Sequence, residues 1–439
     1  MNTKVVKFGG SSLADAKHFE QVADIIKSDK TRKYVVPSAP GKRFSDDTKV
    51  TDMLYRSYEL IKKGEPEGDK IFTDLRARYT SIISELKLKY SIDAELNKIR
   101  DALSHRPGRD YAASRGEYLN GLILAHYLGF DFIDAADVIF FKDDGTFDSE
   151  RTNNVLPEVL KQHKYAVIPG FYGSMPNGTI KTFSRGGSDI TGSIVARAAN
   201  ADLYENWTDV SGFLMADPRI IADPKPIETI TYRELRELSY MGATVLHEDA
   251  IFPVRFAGIP INIRNTNRPE DAGTMIVSHT KTYDKENVIT GVAGKKGFSV
   301  INIEKDMMNS EIGFGRRVLE VLEKYNISFE HLPSGIDTMG VIVATSELEG
   351  KRDKILNSIY REVDPDSLSI EDGIALLAVV GRGMIKAKGT AARVFGAMAN
   401  ASINIRMIDQ GSSEISIILG IEEVDFEKAL GAIYGEFVK

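Results

Sequence analysis

Short apolar segments alternate with amphipathic segments over the first part of the chain. The segment Val5–Phe8 is strand-like and ends at Gly9-Gly10, and apolar side chains at helical spacing follow over residues 19–26. Further strand-like segments are Tyr34–Val36, Val138–Phe141, Ala166–Pro169, Thr179–Phe183, Leu203–Asn206 and Ile261–Ile263. This alternation of strands and helices predicts an α/β fold with a mostly parallel sheet covered by helices.

Two regions interrupt this alternation. Residues 46–105 are charged and helical in their periodicity, which predicts a helical insertion on the sheet domain. The insertion either packs its apolar face and leaves a charged face in water, or serves as a lid or an interface. Residues 268–287 are polar and contain Pro269 and Gly273, so they are expected to connect the first domain to the next.

The C-terminal part contains a degenerate internal repeat. The helical segments Arg317–Leu322 and Arg393–Met398 match, and each is followed at the same distance by a short turn and a strand. A duplicated βαββαβ unit of the ferredoxin-like kind explains this pattern better than two chance amphipathic helices. The predicted boundaries are residues 1–280 for the first domain, 297–372 and 373–439 for the two modules, and 287–296 for a strand that completes the second module.

Composition excludes several classes of protein. The chain has 439 residues, a formal charge of −7 and no cysteine. The small negative charge does not predict a surface that binds nucleic acid or an anionic membrane. Without thiols, disulfides and cysteine-based chemistry are excluded. Neither a signal peptide nor an apolar run of about 18 residues is recognised, so a cytoplasmic protein is expected.

The first candidate site is Lys7-Phe8-Gly9-Gly10-Ser11-Ser12, where a strand ends, two glycines turn the backbone and a helix is expected to begin. Glycines let backbone N–H groups approach phosphate oxygens, and a helix N-terminus adds partial positive charge. Lys7 is placed to neutralise charge on a transferred phosphoryl group. The run is neither a Walker A loop nor a G-x-G-x-x-G motif, so P-loop and Rossmann sites are disfavoured.

The second candidate site is Ser184-Arg185-Gly186-Gly187-Ser188-Asp189, which follows a predicted strand. The guanidinium fork of Arg185 suits bidentate binding of a carboxylate, and Asp189 is able to hold a lysine or another ammonium group. Turn chemistry alone explains this run poorly. It is therefore interpreted as a site for a substrate that carries a carboxylate.

Other polar positions have both a structural and a functional interpretation. Asp209, in the run Trp207–Gly212 after a strand, either caps a turn or contacts a nucleotide, and Arg219 is able to reach phosphates. Ser114 and Glu117 have the spacing of a capping box, or else Glu117 binds a substrate ammonium. No cluster of spaced metal ligands is recognised, so Mg²⁺ is expected to arrive with the phosphates of ATP.

Five of these blocks, in order, resemble the aspartate kinases of the amino acid kinase family. They are Lys7–Ser12, Ser114–Glu117, Pro169-Gly170-Phe171 with Gly173, Ser184–Asp189, and Trp207–Gly212 with Asp217-Pro218-Arg219. The C-terminal repeat is similar to the paired ACT modules of the same enzymes. The resemblance implies a three-layer αβα kinase domain that uses Mg·ATP to phosphorylate the side-chain carboxylate of L-aspartate to 4-phospho-L-aspartate, the first step toward lysine, threonine and methionine.

The resemblance also implies individual roles. Lys7 is similar to the lysine that stabilises the transferred phosphate, and Asp189 to the aspartate that organises the site. Implied contacts to aspartate are Ser38, Thr51, Glu117, Phe171, Arg185 and Ser188. Implied contacts to the nucleotide are Gly9, Gly10, Ser11, Thr208, Asp209, Arg219 and Thr244. At Thr244 the family usually has a lysine, in Gly-Ala-Lys-Val-Leu-His, so this nucleotide contact is in doubt.

The first repeat is expected to sense an amino acid. Ser310–Phe314 places open amides at a helix start, where a ligand carboxylate is able to bind, and Glu330 and Asp337 are able to hold its ammonium. The run Glu330–Asp337 resembles that of lysine-responsive aspartate kinases, some of which use threonine as a co-effector. Expected effector contacts are Met308, Ser310, Glu311, Gly313, Phe314, Glu330, Ser334 and Asp337. A repeat that only forms a homo-oligomer is the alternative.

Three other functions stay open from the residues alone. The first is another acyl-phosphate kinase, acting on glutamate, N-acetylglutamate or carbamate; the helical insertion, Ser114–Glu117 and the paired modules disfavour it. The second is a catalytically inactive amino-acid-binding regulator, which the combination of Lys7, Arg185 and Asp189 disfavours. The third is a kinase fused to homoserine dehydrogenase, which is not expected for the chain ending at Lys439.

Overall fold

The computed structural model describes residues 2–105, 107–184, 186–242, 248–280 and 288–438, except for the side chains of Glu248 and Asp249. These residues form two compact units. The first consists of residues 2–213, 228–232 and 248–279. The second consists of residues 214–227, 233–242 and the C-terminal part. Two segments inside the predicted span 1–280 therefore pack with the C-terminal unit.

The first unit is built on one large sheet. The strands of this unit are β1 (Lys4–Phe8), β2 (Arg32–Pro37), β3 (Asp131–Phe132), β4 (Ala166–Val167), β5 (Tyr172–Ser174), β6 (Ile180–Thr182), β7 (Leu203–Thr208), β8 (Thr229–Thr231), β9 (Ile261–Asn265) and β10 (Thr274–Val277). The sheet has the order β3-β4-β2-β1-β7-β9-β10-β8, and β5 and β6 form a separate hairpin. Only the β9–β10 pair among these strands is antiparallel within the large sheet, which confirms the predicted α/β class with a mostly parallel sheet.

Helices surround this sheet. They are α1 (Ala16–Ser28), α2 (Val50–Lys63), α3 (Glu67–Glu85), α4 (Asp93–Ser104), α5 (Arg109–Leu128), α6 (Ala135–Val138), α7 (Ser149–Leu160), α8 (Gly187–Ala198) and α10 (Glu248–Ala257). The helix between them in sequence, α9 (Tyr232–Tyr240), belongs to the second unit except for its first residue. The charged segment predicted as a helical insertion contains α2, α3 and α4. Their apolar faces share a core with β1 and α1, through Tyr79 and Leu96 beside Phe8 and Phe19. Packing therefore accounts for the apolar face of this segment.

The central strands β1, β2 and β7 are buried on both faces, which agrees with the apolar segments Val5-Val6 of β1 and Tyr34-Val35-Val36 of β2. Polar side chains on these strands must then find partners within the protein. On β1 and β7, Lys7 lies directly opposite Asn206, and Phe8 lies opposite Trp207. Successive side chains of a strand point to opposite faces, so the two pairs belong to different layers of the fold.

The single tryptophan belongs to the core. Trp207 stacks on Phe8 with 5.9 Å between ring centroids, and its indole Nε1 donates to Glu205 at 2.9 Å. The buried Glu205 carboxylate also accepts from Arg32 Nε at 2.8 Å, and the guanidiniums of Arg32 and Arg264 lie 5.2 Å and 4.6 Å from the indole ring centroid. These contacts leave the indole no free face for a nucleotide base.

Two local predictions were wrong, and one of the two interpretations of Ser114 is excluded. The apolar run Val138–Phe141 is not a strand, because α6 occupies its first residue and the Asp134 carboxylate caps that helix at the N–H of Ala136. Ser114 does not cap a helix, because α5 already begins at Arg109 and the Ser114 hydroxyl donates to the Tyr111 carbonyl. The helix after Gly9-Gly10 starts later than predicted, at Ala16, after one short 3₁₀ turn.

The second unit contains one continuous antiparallel sheet of order β12-β11-β13-β15-β14. Its elements are β11 (Gly291–Glu304), α11 (Phe314–Lys324), β12 (Thr338–Ala344), α12 (Arg352–Val363), β13 (Ser367–Val380), α13 (Thr390–Asn400), β14 (Met407–Asp409), β15 (Ser416–Glu422) and α14 (Phe426–Phe437). Strands β11 and β13 are 14 residues long and run through both repeats. The first half of β11, Gly291–Lys295, pairs with the end of β13, which borders β15 of the second repeat.

The first repeat departs from a regular βαββαβ unit. Its second strand is reduced to two isolated bridges, His331 with Ile342 and Ser334 with Met339. A separate core of buried side chains, including Ile301, Val318, Val341 and Ile355, holds the helices of this repeat against the sheet. In the part of the chain that the structure describes, none of the helices is long and apolar enough to cross a membrane.

Candidate active site

The carboxyl ends of β1, β2 and β4 meet at one edge of the large sheet, and backbone hydrogen bonds hold the loops that follow them together. The Ser38 N–H donates to the Phe8 carbonyl at 3.0 Å, and the Gly170 N–H donates to the Pro37 carbonyl at 3.1 Å. The Gly9 N–H donates to the Trp207 carbonyl at 3.0 Å, so the end of β7 lies at the same edge of the sheet. Ligands of open α/β sheets bind at this edge.

A buried charged network lies directly beneath these loops. The Lys7 ammonium is 2.6 Å from Oδ1 of Asp189, which stands in the first turn of α8. The same carboxylate oxygen accepts from Asn206 Nδ2 at 2.9 Å, and Lys7 Nζ donates to Asn206 Oδ1 at 3.5 Å. A side chain on Gly9 would approach Lys7 Nζ to 3.7 Å, so the ammonium faces the glycine turn. The network therefore fixes a positive charge where a phosphate is expected.

The start of α8 packs tightly against the loop after β4. A Cβ on Gly170 would lie 2.6 Å from Ser188 Oγ, so these two residues are in direct contact. Phe171 has a positive φ of 83°, and its N–H donates to Thr191 Oγ1 at 3.0 Å. The structure thus brings Phe171, Ser188 and Asp189 together, as the sequence predicts. Arg185 lies outside the described residues.

Gly187→Ala is expected to displace Phe171 and raise KM for the substrate by about tenfold or more, because small misplacements of binding groups are costly. An added Cβ would lie 2.3 Å from Phe171 Cδ2 and 3.0 Å from its Cα. Steady-state kinetics measures the effect. Gly435→Ala is the control, since a Cβ there meets no atom within 4 Å. An unchanged KM would show that Phe171 is not needed for binding.

Glu117 is a buried carboxylate on the face of α5 that meets the loop after β2. It accepts a hydrogen bond from the Ala39 N–H, while its Oε2 is buried without a hydrogen-bond partner among the described residues. Burial raises the pKa of Glu117 to about 8, against the opposite effect of the Ala39 and Glu117 N–H groups and of Arg115. A cationic group bound next to Oε2 would favour the ionised form.

Ser38 and Thr51 are the sequence neighbours of two residues, Ala39 and Val50, that pack against α5 next to Glu117. Helix α5 approaches Ala39, the residue after Ser38, and Val50 closely because it has a glycine at position 116. A Cβ on Gly116 would lie 2.8 Å from Ala39 Cβ and 3.3 Å from Val50 Cγ1. Thr51 follows Val50 in the first turn of α2 and is half-buried. The four predicted contacts Ser38, Thr51, Glu117 and Phe171 therefore all lie on the loops and helices at this sheet edge.

The predicted nucleotide contacts are only partly brought together. Gly10 packs on Gly41, whose N–H donates to the Gly10 carbonyl at 2.7 Å, and Ser11 is exposed beside them. At the end of β7, Thr208 Oγ1 donates to the exposed Asp209 carboxylate at 3.2 Å.

The other two predicted nucleotide contacts are Arg219 and Thr244. Arg219 belongs to the second unit, where its exposed guanidinium binds Asp217 at 2.5 Å, and this ion pair would have to open for a phosphate. Thr244 lies outside the described residues. Within those residues, no group of three or more His, Asp or Glu side chains is placed to hold a metal ion.

In the second unit, two of the predicted effector segments lie side by side. The Met307 N–H donates to Asp337 Oδ1 at 3.0 Å, and the Asn309 N–H donates to the Ile336 carbonyl at 3.1 Å. Met308 is buried, whereas Ser310, Ser334 and Asp337 are exposed. Gly313, with a φ of 82°, caps α11, which begins at Phe314.

The two glutamates among the predicted effector contacts have other partners in this structure. Glu311 pairs with Lys305 at 3.0 Å and also with Arg317. Glu330 accepts a hydrogen bond from the Tyr240 hydroxyl. An effector that uses either carboxylate must therefore compete with these contacts.

Sequence reasoning missed two asparagines. Asn206 joins Lys7 to Asp189, and Asn120 donates from Nδ2 to the Ser38 carbonyl at 2.6 Å. Both side chains are buried, that of Asn206 on a strand and that of Asn120 on a helix. A polar residue inside an otherwise buried element was the available signal, because such groups need a partner.

Comparison with known proteins agrees with this geometry. The model of the amino acid kinase family matches residues 2–265, and an ACT domain model matches residues 377–437. Aspartokinase 3 of Bacillus subtilis is 41% identical over 455 aligned residues, which cover 99% of this chain and 98% of the relative.

Solved structures give the same result. The crystal structure of Clostridium acetobutylicum aspartate kinase superposes with a TM-score of 0.92 and 54% identity over 100% of both chains. Escherichia coli aspartokinase III is 26% identical over 100% of both chains, with a TM-score of 0.73 for its complex with aspartate and ADP and 0.74 for its complex with lysine and aspartate. The family models and the full-length relatives agree with the sheet edge that carries Lys7, Asp189 and Glu117. The chain therefore belongs to the amino acid kinase family, as an aspartokinase with C-terminal ACT modules.

Proposed function

We propose that this protein transfers the γ-phosphoryl group of Mg·ATP to the side-chain carboxylate of L-aspartate and releases 4-phospho-L-aspartate. The observation that carries the proposal is the buried network of Lys7, Asp189 and Asn206 beneath the glycine turn, with Glu117 on α5 against the loop after β2. The complex of E. coli aspartokinase III with aspartate and ADP supports the same pair of substrates.

The reaction joins two anions, and this decides what the site must supply. The acceptor carboxylate is ionised at neutral pH, so no general base is required. Positive charge and alignment must instead overcome the repulsion between aspartate and ATP. Lys7 supplies the charge at the end of β1, and Asp189 and Asn206 hold its ammonium in one position. We propose an in-line transfer without a phosphoenzyme, with Mg²⁺ held mainly by the phosphates.

A coupled ADP-release assay tests this function. Aspartate is expected to give turnover, whereas glutamate and N-acetylglutamate are expected to give little, since the acceptor must place its carboxylate and ammonium at fixed positions. Omitting Mg²⁺ is expected to abolish turnover. ADP release with N-acetylglutamate but not with aspartate would contradict the proposal and favour another kinase of the same family.

We further propose that lysine inhibits the enzyme through the first ACT module, and that threonine acts there as a co-effector. The lysine complex of E. coli aspartokinase III supports lysine as the effector. The contact between Met307 and Asp337 brings the two effector segments together beside the N-terminus of α11. The apolar side chains of Met307, Ile312 and Ile336 are 69%, 97% and 68% exposed in the single chain, which supports a homo-oligomer formed through this module.

Lysine at roughly 10 mM, a saturating choice for a millimolar site, is expected to lower activity and raise the melting temperature. The reason is that a ligand stabilises the state to which it binds more tightly. Arginine at the same concentration is the control, and threonine is added alone and with lysine. If lysine changed neither activity nor melting temperature, its role as effector would be refuted, while the kinase assignment would stand.

A further inference from the structure

One peptide group beside the active site is held from both of its polar ends by a single helix. Glu117 and Asn120 lie three positions apart on α5 and therefore on the same face. Glu117 accepts from the Ala39 N–H, and Asn120 Nδ2 donates to the Ser38 carbonyl at 2.6 Å. The N–H and the carbonyl belong to the same Ser38–Ala39 peptide group. The two side chains thus clamp the loop that follows β2.

This clamp fixes how the Asn120 amide is oriented. The atom that faces the Ser38 carbonyl must be a donor, because a carbonyl oxygen only accepts hydrogen bonds. Asn120 Oδ1 therefore points away from that carbonyl. It is buried and has no hydrogen-bond partner among the described residues, and the same holds for Glu117 Oε2. Asn120 itself is fully buried.

When Glu117 is ionised, two buried acceptor oxygens on one helix face need donors, because buried polar groups in native proteins are almost always paired. A single ligand group that serves both oxygens must be small and must carry at least two donor hydrogens. An ammonium has three N–H donors and no acceptor. The carboxylate of Glu117 provides a matching charge, whereas the amide of Asn120 provides a second, neutral acceptor.

We propose that Asn120 is a substrate-binding residue, whose Oδ1 accepts a hydrogen bond from the α-ammonium of the amino-acid substrate together with Glu117 Oε2. The inference rests on the proposed aspartate kinase function and adds a residue that discriminates between ligands. A site that hydrogen-bonds a substrate N–H group rejects analogues that lack it. Acidic ligands without an ammonium, such as succinate, would leave both oxygens unpaired, and N-acylated acids would offer a single N–H donor.

A purely structural role makes a different prediction. If Asn120 only positions Ser38, its loss disturbs the whole pocket and weakens every carboxylate ligand alike. If Oδ1 binds the ammonium, its loss affects only ligands that carry one. The comparison between aspartate and succinate therefore separates the two roles, because these molecules differ only in the amino group.

The experiment measures kcat/KM for aspartate and the inhibition constant of succinate against aspartate in wild type, Asn120→Ala and Asn120→Ser. Asn120→Ser keeps a small polar side chain at this buried position and guards against a folding defect in the alanine variant. The matched control is Asn262→Ala, which removes another buried amide with an unpaired Oδ1, from β9. Melting temperatures are recorded for all four proteins.

Asn120→Ala is expected to lower kcat/KM for aspartate by about 10- to 100-fold and to change the succinate inhibition constant by less than about twofold. Asn120→Ser is likewise expected to lower kcat/KM for aspartate and to leave the succinate inhibition constant within about twofold of wild type. Equal losses for both ligands, or no loss for aspartate in either variant, would overturn the inference. Absence of aspartate-dependent ADP release in the wild type would instead refute the proposed function.

Discussion

Lys7→Ala is expected to lower kcat by about three to five orders of magnitude, the range seen when a cation at a transferred phosphoryl group is lost. KM for aspartate is expected to change far less, since Lys7 faces the glycine turn and not the clamp formed by Glu117 and Asn120. The effect on kcat exceeds the effect on KM because Lys7 stabilises charge that develops only in the transition state. An interaction made only in the transition state changes kcat and leaves substrate binding nearly unchanged. Coupled steady-state kinetics measures both constants.

The control for this experiment is Lys4→Ala, a lysine of the same strand that pairs with Asp29 at 2.9 Å. Strand alternation places Lys4 on the opposite face of the sheet from Lys7. Its loss is expected to leave kcat within about twofold, in line with the small effect of partly exposed ion pairs. Wild-type turnover in Lys7→Ala, with a wild-type melting temperature, would refute the role of Lys7.

Glu117→Gln is expected to raise KM for aspartate by about 100-fold or more, the scale that follows from losing a charge-assisted hydrogen bond in a buried site. The same variant is expected to change the pH dependence of binding. Because burial raises the pKa of Glu117 to about 8, the carboxyl group of the free enzyme is largely protonated at pH 7. Binding of an ammonium requires the ionised form, so apparent affinity for aspartate should rise as the pH increases toward 8.

The raised pKa also affects stability, with a definite sign. Between the ordinary value of 4.5 and about 8, the folded protein holds a proton on Glu117 that the unfolded chain has lost. This group therefore contributes a decrease in the free energy of unfolding as the pH rises through that window, and no further change above it. Thermal denaturation of the ligand-free protein from pH 5 to pH 9 should show this slope in wild type and a smaller slope in Glu117→Gln. Identical slopes would show that Glu117 is already ionised at pH 7.

Local signals in the sequence predict most residues of the candidate active site. Lys7 lies at the end of an apolar strand and precedes two glycines, and Ser188 and Asp189 follow another glycine pair. Each of these positions is recognisable because the turn and the strand end are encoded within a few neighbouring residues. Glu117 was recognisable only by resemblance, since the spacing of Ser114 and Glu117 equally fits a capping box that the structure does not contain.

The sequence by itself determined the alternation of strands and helices, the internal repeat and the candidate charged side chains Lys7 and Asp189. Each of these features depends on residues that are close together in the chain. Only the tertiary structure decided that Asn206 joins Lys7 to Asp189, that Asn120 clamps the Ser38–Ala39 peptide group, and that β11 and β13 run through both repeats. The physical reason is that periodicity reports which face of an element is buried. The partner that covers this face comes from a distant part of the chain, and only the folded packing selects it.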